Sequence, residues 1–218
     1  MANFLDRDRL FSGLDQLNLK LTDDQIYKID HYSALLFKWN KTFNLTAITD
    51  KNEVLTHHIL DSLATIPVFE KYLNRGASLL DVGSGGGLPG IPLAIMFPEC
   101  KINLVDTVGK KTAFLTQVAL TLKLSNVSVI HNRVEKIKES QFDLISSRAF
   151  SSLRLFIDLT KDLLKSDGYW IALKGQYPHS ELSELKNAFS YQVQPISVPF
   201  LSEDRNIVII HNNQRTLS

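Results

Sequence analysis

The 218-residue sequence contains one cysteine, Cys100, so the chain can form no internal disulfide. No Cys-x-x-Cys pair or His/Cys cluster offers a structural metal site. No apolar run approaches the roughly 20 residues that a membrane-spanning helix needs. The opening MANFLDRDRLF mixes acids and bases where a secretory signal would be apolar. These absences predict a reduced, cytoplasmic chain without a membrane or metal partner. A dominant charge is missing too: the net charge is +1, so bulk charge names no partner. Repeats and low-complexity segments are also absent, and the length suits one large domain or one domain with an appendage. Locally, residues 77–154 hold 9 Lys/Arg against 6 Asp/Glu, whereas 1–76 hold 9 against 10 and 155–218 hold 6 against 7. The middle excess is small but has the right sign for a polyanionic substrate.

The first 75 residues read as helical. Thr22-Asp23-Asp24-Gln25 matches a capping box, with Gln25 three residues after the Thr22 cap. Ile26, Ile29, Tyr32, Leu36 and Trp39 then recur at helical spacing and should face a core. A break follows over 40–50, and a second helical stretch runs over 52–73, with Pro67 a point of interruption. Strand-like runs lie at 78–82, 102–105, 127–131, 142–146, 169–173, 191–198 and 207–210. Helical stretches at 91–97, 110–122, 134–137 and 153–164 separate the first five. This alternation predicts an α/β fold, a doubly wound, mostly parallel sheet. The last two runs are separated by too little chain for a crossover helix, so they should pair antiparallel. Ligands of such sheets sit beyond the carboxyl ends of the strands.

One such strand end stands out. Leu79-Leu80-Asp81-Val82-Gly83-Ser84-Gly85-Gly86-Gly87-Leu88-Pro89-Gly90 holds five of the ten glycines of the chain. A strand-to-helix turn needs one or two, so the cluster reads as a ligand loop. Gly85-x-Gly87-x-x-Gly90 also fits the dinucleotide fingerprint, and Asp106 sits where a ribose-binding acid belongs. Two features argue against a dinucleotide. Asp81 precedes the first glycine, where a pyrophosphate would meet negative charge. Pro89 and Pro92 remove N–H donors from the helix start that would bind it. A sulfonium cofactor with an amino-acid tail suits this setting better, and Asp81 could orient its ammonium. These residues alone leave three readings: a methyltransferase of unknown acceptor, a dinucleotide oxidoreductase, or an RNA-binding module without activity.

Further motifs carry a resemblance over nearly the whole chain. Trp39-Asn40-Lys41-x-x-Asn44-Leu45-Thr46-Ala47 and His58-x-x-Asp61-Ser62-Leu63 precede the glycine loop. Asp106-x-x-Gly109-Lys110-Lys111-x-x-Phe114-Leu115, Ser147-Arg148-Ala149-Phe150 and Leu173-Lys174-Gly175 follow it. In these motifs and their order the chain resembles the bacterial small-subunit (16S) ribosomal RNA guanine-N7 methyltransferases, the glucose-inhibited division protein B family. The resemblance implies a Rossmann-like, seven-stranded S-adenosylmethionine-dependent methyltransferase domain at 76–218, with an N-terminal helical extension at 1–75 packed on it. It implies methyl transfer to guanine N7 in the decoding region of 16S rRNA, either in the RNA or in a small-subunit assembly intermediate. It also implies that Gly83 and Leu88 contact the cofactor, that Val134 and Glu135 flank its adenine, and that Arg148 lines the same site.

Individual residues add to this. Asp106 ends an apolar strand, where a carboxylate can accept two ribose hydroxyls; its bland role is to cap the next helix. Lys110 and Lys111 open a helix, the unfavourable end for cations, which points one of them at RNA phosphate against a plain surface pair. Lys174 is a third RNA candidate. Arg148 follows a strand end, and its bland role is an ion pair with a structural acid. His58 and Asp61, three apart, should share a helix face as a polar pair. Tyr32, Trp39 and Phe43 could stack a base, but their spacing favours the core.

The chemistry asks for little. Guanine N7 carries an in-plane lone pair and no proton, so attack on a sulfonium methyl needs no general base, and alignment should dominate. No catalytic residue is therefore expected. Carbon-5 pyrimidine methylation would need a cysteine nucleophile, and Cys100 precedes the second strand, at the wrong end of the sheet. Ser146-Ser147-Arg148-Ala149-Phe150 lacks the prolines typical of exocyclic-amine methylation.

Overall fold

From residue 78 onward, apolar runs too short for helices alternate with amphipathic ones, and the runs assemble into one sheet. The computed structural model describes residues 4–138, 141–150, 152–185 and 188–212. Its strands are β1 (Ser78–Val82), β2 (Lys101–Asp106), β3 (Val127–His131), β4 (Phe142–Ser147), β5 (Leu164–Lys174), β6 (Phe189–Ile196) and β7 (Arg205–Asn212). They lie in the order β3-β2-β1-β4-β5-β7-β6. The first five are parallel. β7 slots between β5 and β6, antiparallel to both, as the short connection before it required. The strand order reverses between β1 and β4, where an open sheet leaves its ligand crevice.

The central strands bury both faces, as parallel strands must. Leu79, Ile102 and Leu104 enter one core with α6 (Gly90–Met96) and α7 (Gly109–Thr121). Leu80, Val105, Ile145 and Trp170 enter the other with α8 (Leu153–Thr160) and α9 (His179–Leu185). The N-terminal segment supplies α1 (Arg7–Gln16), α2 (Asp23–Phe43), α3 (Lys51–Val54), a wide π-helical turn (Leu55–Leu60), α4 (Asp61–Leu63) and α5 (Ile66–Phe69). The predicted capping box starts α2: Thr22 Oγ1 accepts from the Gln25 amide at 3.3 Å, and Gln25 Oε1 accepts from the Thr22 amide at 2.9 Å. The stripe behind it is buried, with Ile29, Tyr32 and Leu36 all 0% exposed. These side chains join the same core as Leu79 and Leu104. Each contributes roughly 1.5–3 kcal/mol by burial, so the 1–75 segment and the sheet are welded through one core.

Three local expectations change. The helical stretch expected over 52–73 is interrupted before Pro67 as anticipated, by a tight turn at Ala64–Thr65, and is broken a second time where the turn at 55–60 closes with i→i+5 bonds. The helix expected to reach residue 164 ends at Thr160, one tight turn covers Lys161–Leu163, and β5 begins at Leu164. Leu164 pairs with Phe142 and Tyr169 with Leu144, so the polar stretch between them bulges out of the sheet. Those polar residues resemble a loop in sequence. Two helices were not predicted individually, α1 and α9. Among the described residues, no helix is long and apolar enough to cross a membrane.

Candidate active site

The turn that leaves β1 sits at the sheet's switch point, and its shape depends on glycine. Gly83 has φ +70°, and a Cβ there would stand 2.9 Å from the Ala149 side chain. Gly90 has ordinary φ, but a Cβ on it would collide with Leu104 and Asp81. The loop is tied down from three sides. The Gly83 and Ser84 amides donate to the Val105 carbonyl at 2.9 and 3.1 Å. Ser84 Oγ donates to the Asp81 carbonyl at 2.8 Å. From α2, the buried Tyr32 hydroxyl donates to the Gly86 carbonyl at 2.6 Å. Tyr32 is therefore a core residue with a second task, holding the loop from the N-terminal segment. Its spacing revealed only the core.

Asp81 does not face a ligand. It is 1% exposed and lies behind the loop, with Oδ1 accepting from Ser146 Oγ at 3.0 Å. Oδ2 lies by the start of α6. That start has few donors to offer a pyrophosphate: the Ile91 amide bonds Gly87 O, the Leu93 amide bonds Pro89 O, and Pro92 has none. A dinucleotide is disfavoured by the occupied helix end rather than by charge repulsion, and Asp81 lies too deep to orient an ammonium. Burial pushes the Asp81 carboxyl up to about 7, against the pull of Ser146, Ser84, Arg148 and the Gly90 amide. The folded state thus keeps a proton that the unfolded chain releases near 3.8, and stability contributed here declines as pH rises from about 4 to about 7. Asp81→Asn is expected to gain stability relative to wild type between pH 5 and pH 8, by about 2–3 kcal/mol. Urea denaturation at the two pH values measures it; an equal difference at both would contradict the assignment.

Beside the loop lies a cleft of about 310 Å³. Val82, Val105 and Val134 make its apolar floor, and Gly83, Ala149 and Phe150 one wall. Asp106 stands at its rim, 6% exposed. Its Oδ2 accepts from the Gly85 amide and its Oδ1 from the Val108 amide, each at 2.9 Å. It therefore both anchors the turn into α7 and faces the cleft, and a carboxylate has acceptor sites left for a ligand. Lys111 Nζ is 3.9 Å from Oδ2 and lines the same cleft, while Lys110 points outward and is exposed. Of the pair, Lys110 is the more exposed, and Lys111 is half-buried. Glu135 lines the cleft and pairs with Arg133 at 3.8 Å. Leu88 is buried in the core and is not part of the cleft lining.

A second cleft, of about 320 Å³, opens at the end of β4. Arg148 lines this one, one residue before Ala149 in the other. At its centre Asp61, 4% exposed, receives Arg148 Nη1 on Oδ2 at 3.1 Å and Arg205 Nε on Oδ1 at 2.8 Å. Lys174 is also here, its ammonium held by the Phe150 carbonyl at 2.9 Å and Glu181 at 2.7 Å. Those bonds leave Lys174 one N–H to offer. The expected His58–Asp61 pair does not form. In the wide turn, residues three apart no longer align, and His58 Nε2 turns to Thr46 Oγ1 at 2.8 Å. Its Nδ1 faces the His57 carbonyl at 3.0 Å, so it carries the proton. Burial lowers the His58 pKa to about 4, with Arg148 adding to the effect, and the ring is neutral near pH 7. Arg205 had no sequence signal: it lies 144 residues from its partner, outside every motif.

Comparison with known proteins fits this geometry. Residues 25–208 match the family described as rRNA small subunit methyltransferase G. The chain is 46% identical over 205 residues to the ribosomal RNA small subunit methyltransferase G of Pseudomonas aeruginosa strain LESB58, covering 93% of this chain and 94% of the relative. It is 46% identical over 201 residues to the protein of the same name from Chromobacterium violaceum, covering 91% and 94%. A crystal structure of a SAM dependent methyltransferase from Aquifex aeolicus superposes with TM-score 0.57 at 18% identity, covering 72% of this chain and 92% of that one, and so shares the fold. With the switch-point loop, the two clefts and the match over most of its length, the chain belongs to the rRNA small subunit methyltransferase G family.

Proposed function

We propose that the chain transfers the methyl group of S-adenosylmethionine to guanine N7 in 16S rRNA, as the family resemblance implies. The cofactor lies in the cleft over Gly83, and the guanine enters through the cleft of Arg148 and Arg205. One observation carries this reading: the two clefts meet across a single peptide link, Arg148–Ala149, so ligands in them are neighbours. The first cleft fits S-adenosylmethionine by its chemistry. Asp106 offers acceptors to ribose hydroxyls, Val134 and Val105 offer an apolar bed for adenine, and Gly83 leaves the room that a Cβ would take. Bound there, S-adenosylmethionine supplies an electrophilic methyl group.

The residues of the chain then hold rather than react. Arg148 and Arg205 present guanidinium groups to RNA phosphate or to guanine O6, which leaves the N7 lone pair free. Asp61 between them offsets part of their charge, which lessens repulsion of the cationic purine that methylation produces. No side chain takes a proton, so catalysis rests on alignment. In this reading 76–218 is the methyltransferase domain, and 1–75 is an extension that supplies Asp61 and Tyr32 to the site. The substrate, 16S rRNA or an assembly intermediate carrying it, places the work in the cytoplasm.

The test is a map of N7-methylguanine in 16S rRNA from cells with and without the gene. Loss of one modified guanine on deletion, restored by the wild-type chain, is the expected result. An identical map would remove the proposed substrate.

A further inference from the structure

The base cleft does not end at Arg205. Ile196, Arg205 and Asn206 also line a larger neighbouring hollow of about 560 Å³. Its other wall carries Tyr177, from the loop between β5 and α9, and Glu203 and Asp204, from the turn that enters β7. Tyr177 is 46% exposed, a large ring left in water. Its ring stands 4.4 Å from that of His179, which is exposed as well, so the ring is braced on one side and open on the other. Nothing in the cofactor cleft or the arginine cleft uses it.

We infer that Tyr177 is a stacking platform for the base of a nucleotide adjacent to the target guanine, bound in this hollow while the guanine occupies the arginine cleft. The inference rests on the reading given under Proposed function and extends it to a second nucleotide. Enzymes that act on an RNA base take it from an unstacked, single-stranded stretch, so its neighbour loses a stacking partner and gains from a protein ring. The charges sort the parts of that nucleotide. Arg205, shared by the hollow and the arginine cleft, and Arg148 within that cleft attract the linking phosphate. Glu203 and Asp204, which precede Arg205 in the chain, disfavour a second phosphate in the hollow and leave it to a neutral base, whose amino groups can donate to them. The hollow is continuous with the arginine cleft, so no chain need be crossed to reach it.

The full-length protein with Tyr177→Ala, Tyr177→Leu and Tyr177→Phe tests this against small-subunit RNA substrate. Loss of one base–aromatic stack should raise KM for RNA on the order of tenfold in the Ala and Leu variants. S-adenosylmethionine affinity should stay at the wild-type value, and the salt slope of RNA binding should not change, since no ionic contact is lost. Tyr177→Phe, which keeps the ring, should stay within about twofold of wild type. The Leu variant separates stacking from mere apolar cover of His179. A KM within twofold of wild type for Ala and Leu, or a loss in Phe as large as in Ala, overturns the inference. Absence of methyl transfer by the wild-type chain itself would instead strike the underlying reading.

Discussion

Replacing Asp61 with alanine should cost the folded protein about 3 kcal/mol and cut methyl transfer at subsaturating RNA by at least tenfold. Removing one partner from a buried ion pair typically costs about 3–5 kcal/mol, because the remaining charge stays in place without compensation. Here the deletion leaves two guanidinium groups facing an emptied space. Arg148 and Arg205 keep 33% and 24% of their side-chain surface in water, which places the loss at the lower end. Asp61→Asn keeps the volume and one acceptor and should lose less. The split between substrates is the sharper readout. Asp61 is outside the cofactor cleft, so S-adenosylmethionine affinity should hold while KM for RNA rises. Urea denaturation gives the stability change and steady-state kinetics the split. A stability loss below about 1 kcal/mol would show that the arginines do not depend on Asp61.

Asp106→Ala should fall on the other ligand. Its carboxylate accepts from two loop amides at 2.9 Å and keeps acceptor sites for the proposed contact with the ribose hydroxyls. A hydrogen bond to a charged group contributes roughly 1.5–3 kcal/mol. Two such bonds lost together weaken S-adenosylmethionine binding by about 100-fold or more. Asp106→Asn retains one acceptor oxygen and should fall between Ala and wild type. Calorimetric titration of the folded variants decides it. An Asp106→Ala protein that binds S-adenosylmethionine as wild type does would remove Asp106 from the cofactor contacts, and the carboxylate would be left with only its cap on the turn into α7.

Most of the sheet was readable in advance, because its cues are local. Apolar runs between helices specify parallel strands, and the short 199–206 connection forbids a crossover. The loop after β1 and the place of Asp106 at the end of β2 were readable for the same reason: glycines and strand-end acids are adjacent in sequence to the positions they shape. What escaped was non-local. Tyr32 looked like one more member of an apolar stripe, and only the folded chain shows its hydroxyl on Gly86. That Asp61, 87 residues away, is the ion-pair partner of Arg148 was equally invisible in the sequence. The partition of Asp61 from His58 turned on a helical turn one residue wider than the sequence period suggests. Arg205, paired with Ile196 at the start of β7, reaches Asp61 because β7 inserts beside β5, a placement that no spacing encodes.

The ion pair between Asp61 and Arg205 spans 144 residues, and that span has a consequence for how the enzyme is made. During synthesis the glycine loop and β2 emerge long before β7, yet Val208 and Ile210 of β7 share the core with Val82, Val105 and Val134 under the Gly83 cleft. Arg205 likewise reaches Asp61 only when β7 is threaded between β5 and β6. Both clefts are therefore completed together by the last strand. Closure of such a distant contact is among the slowest steps of folding, and it makes the ability to modify RNA a late property of the chain.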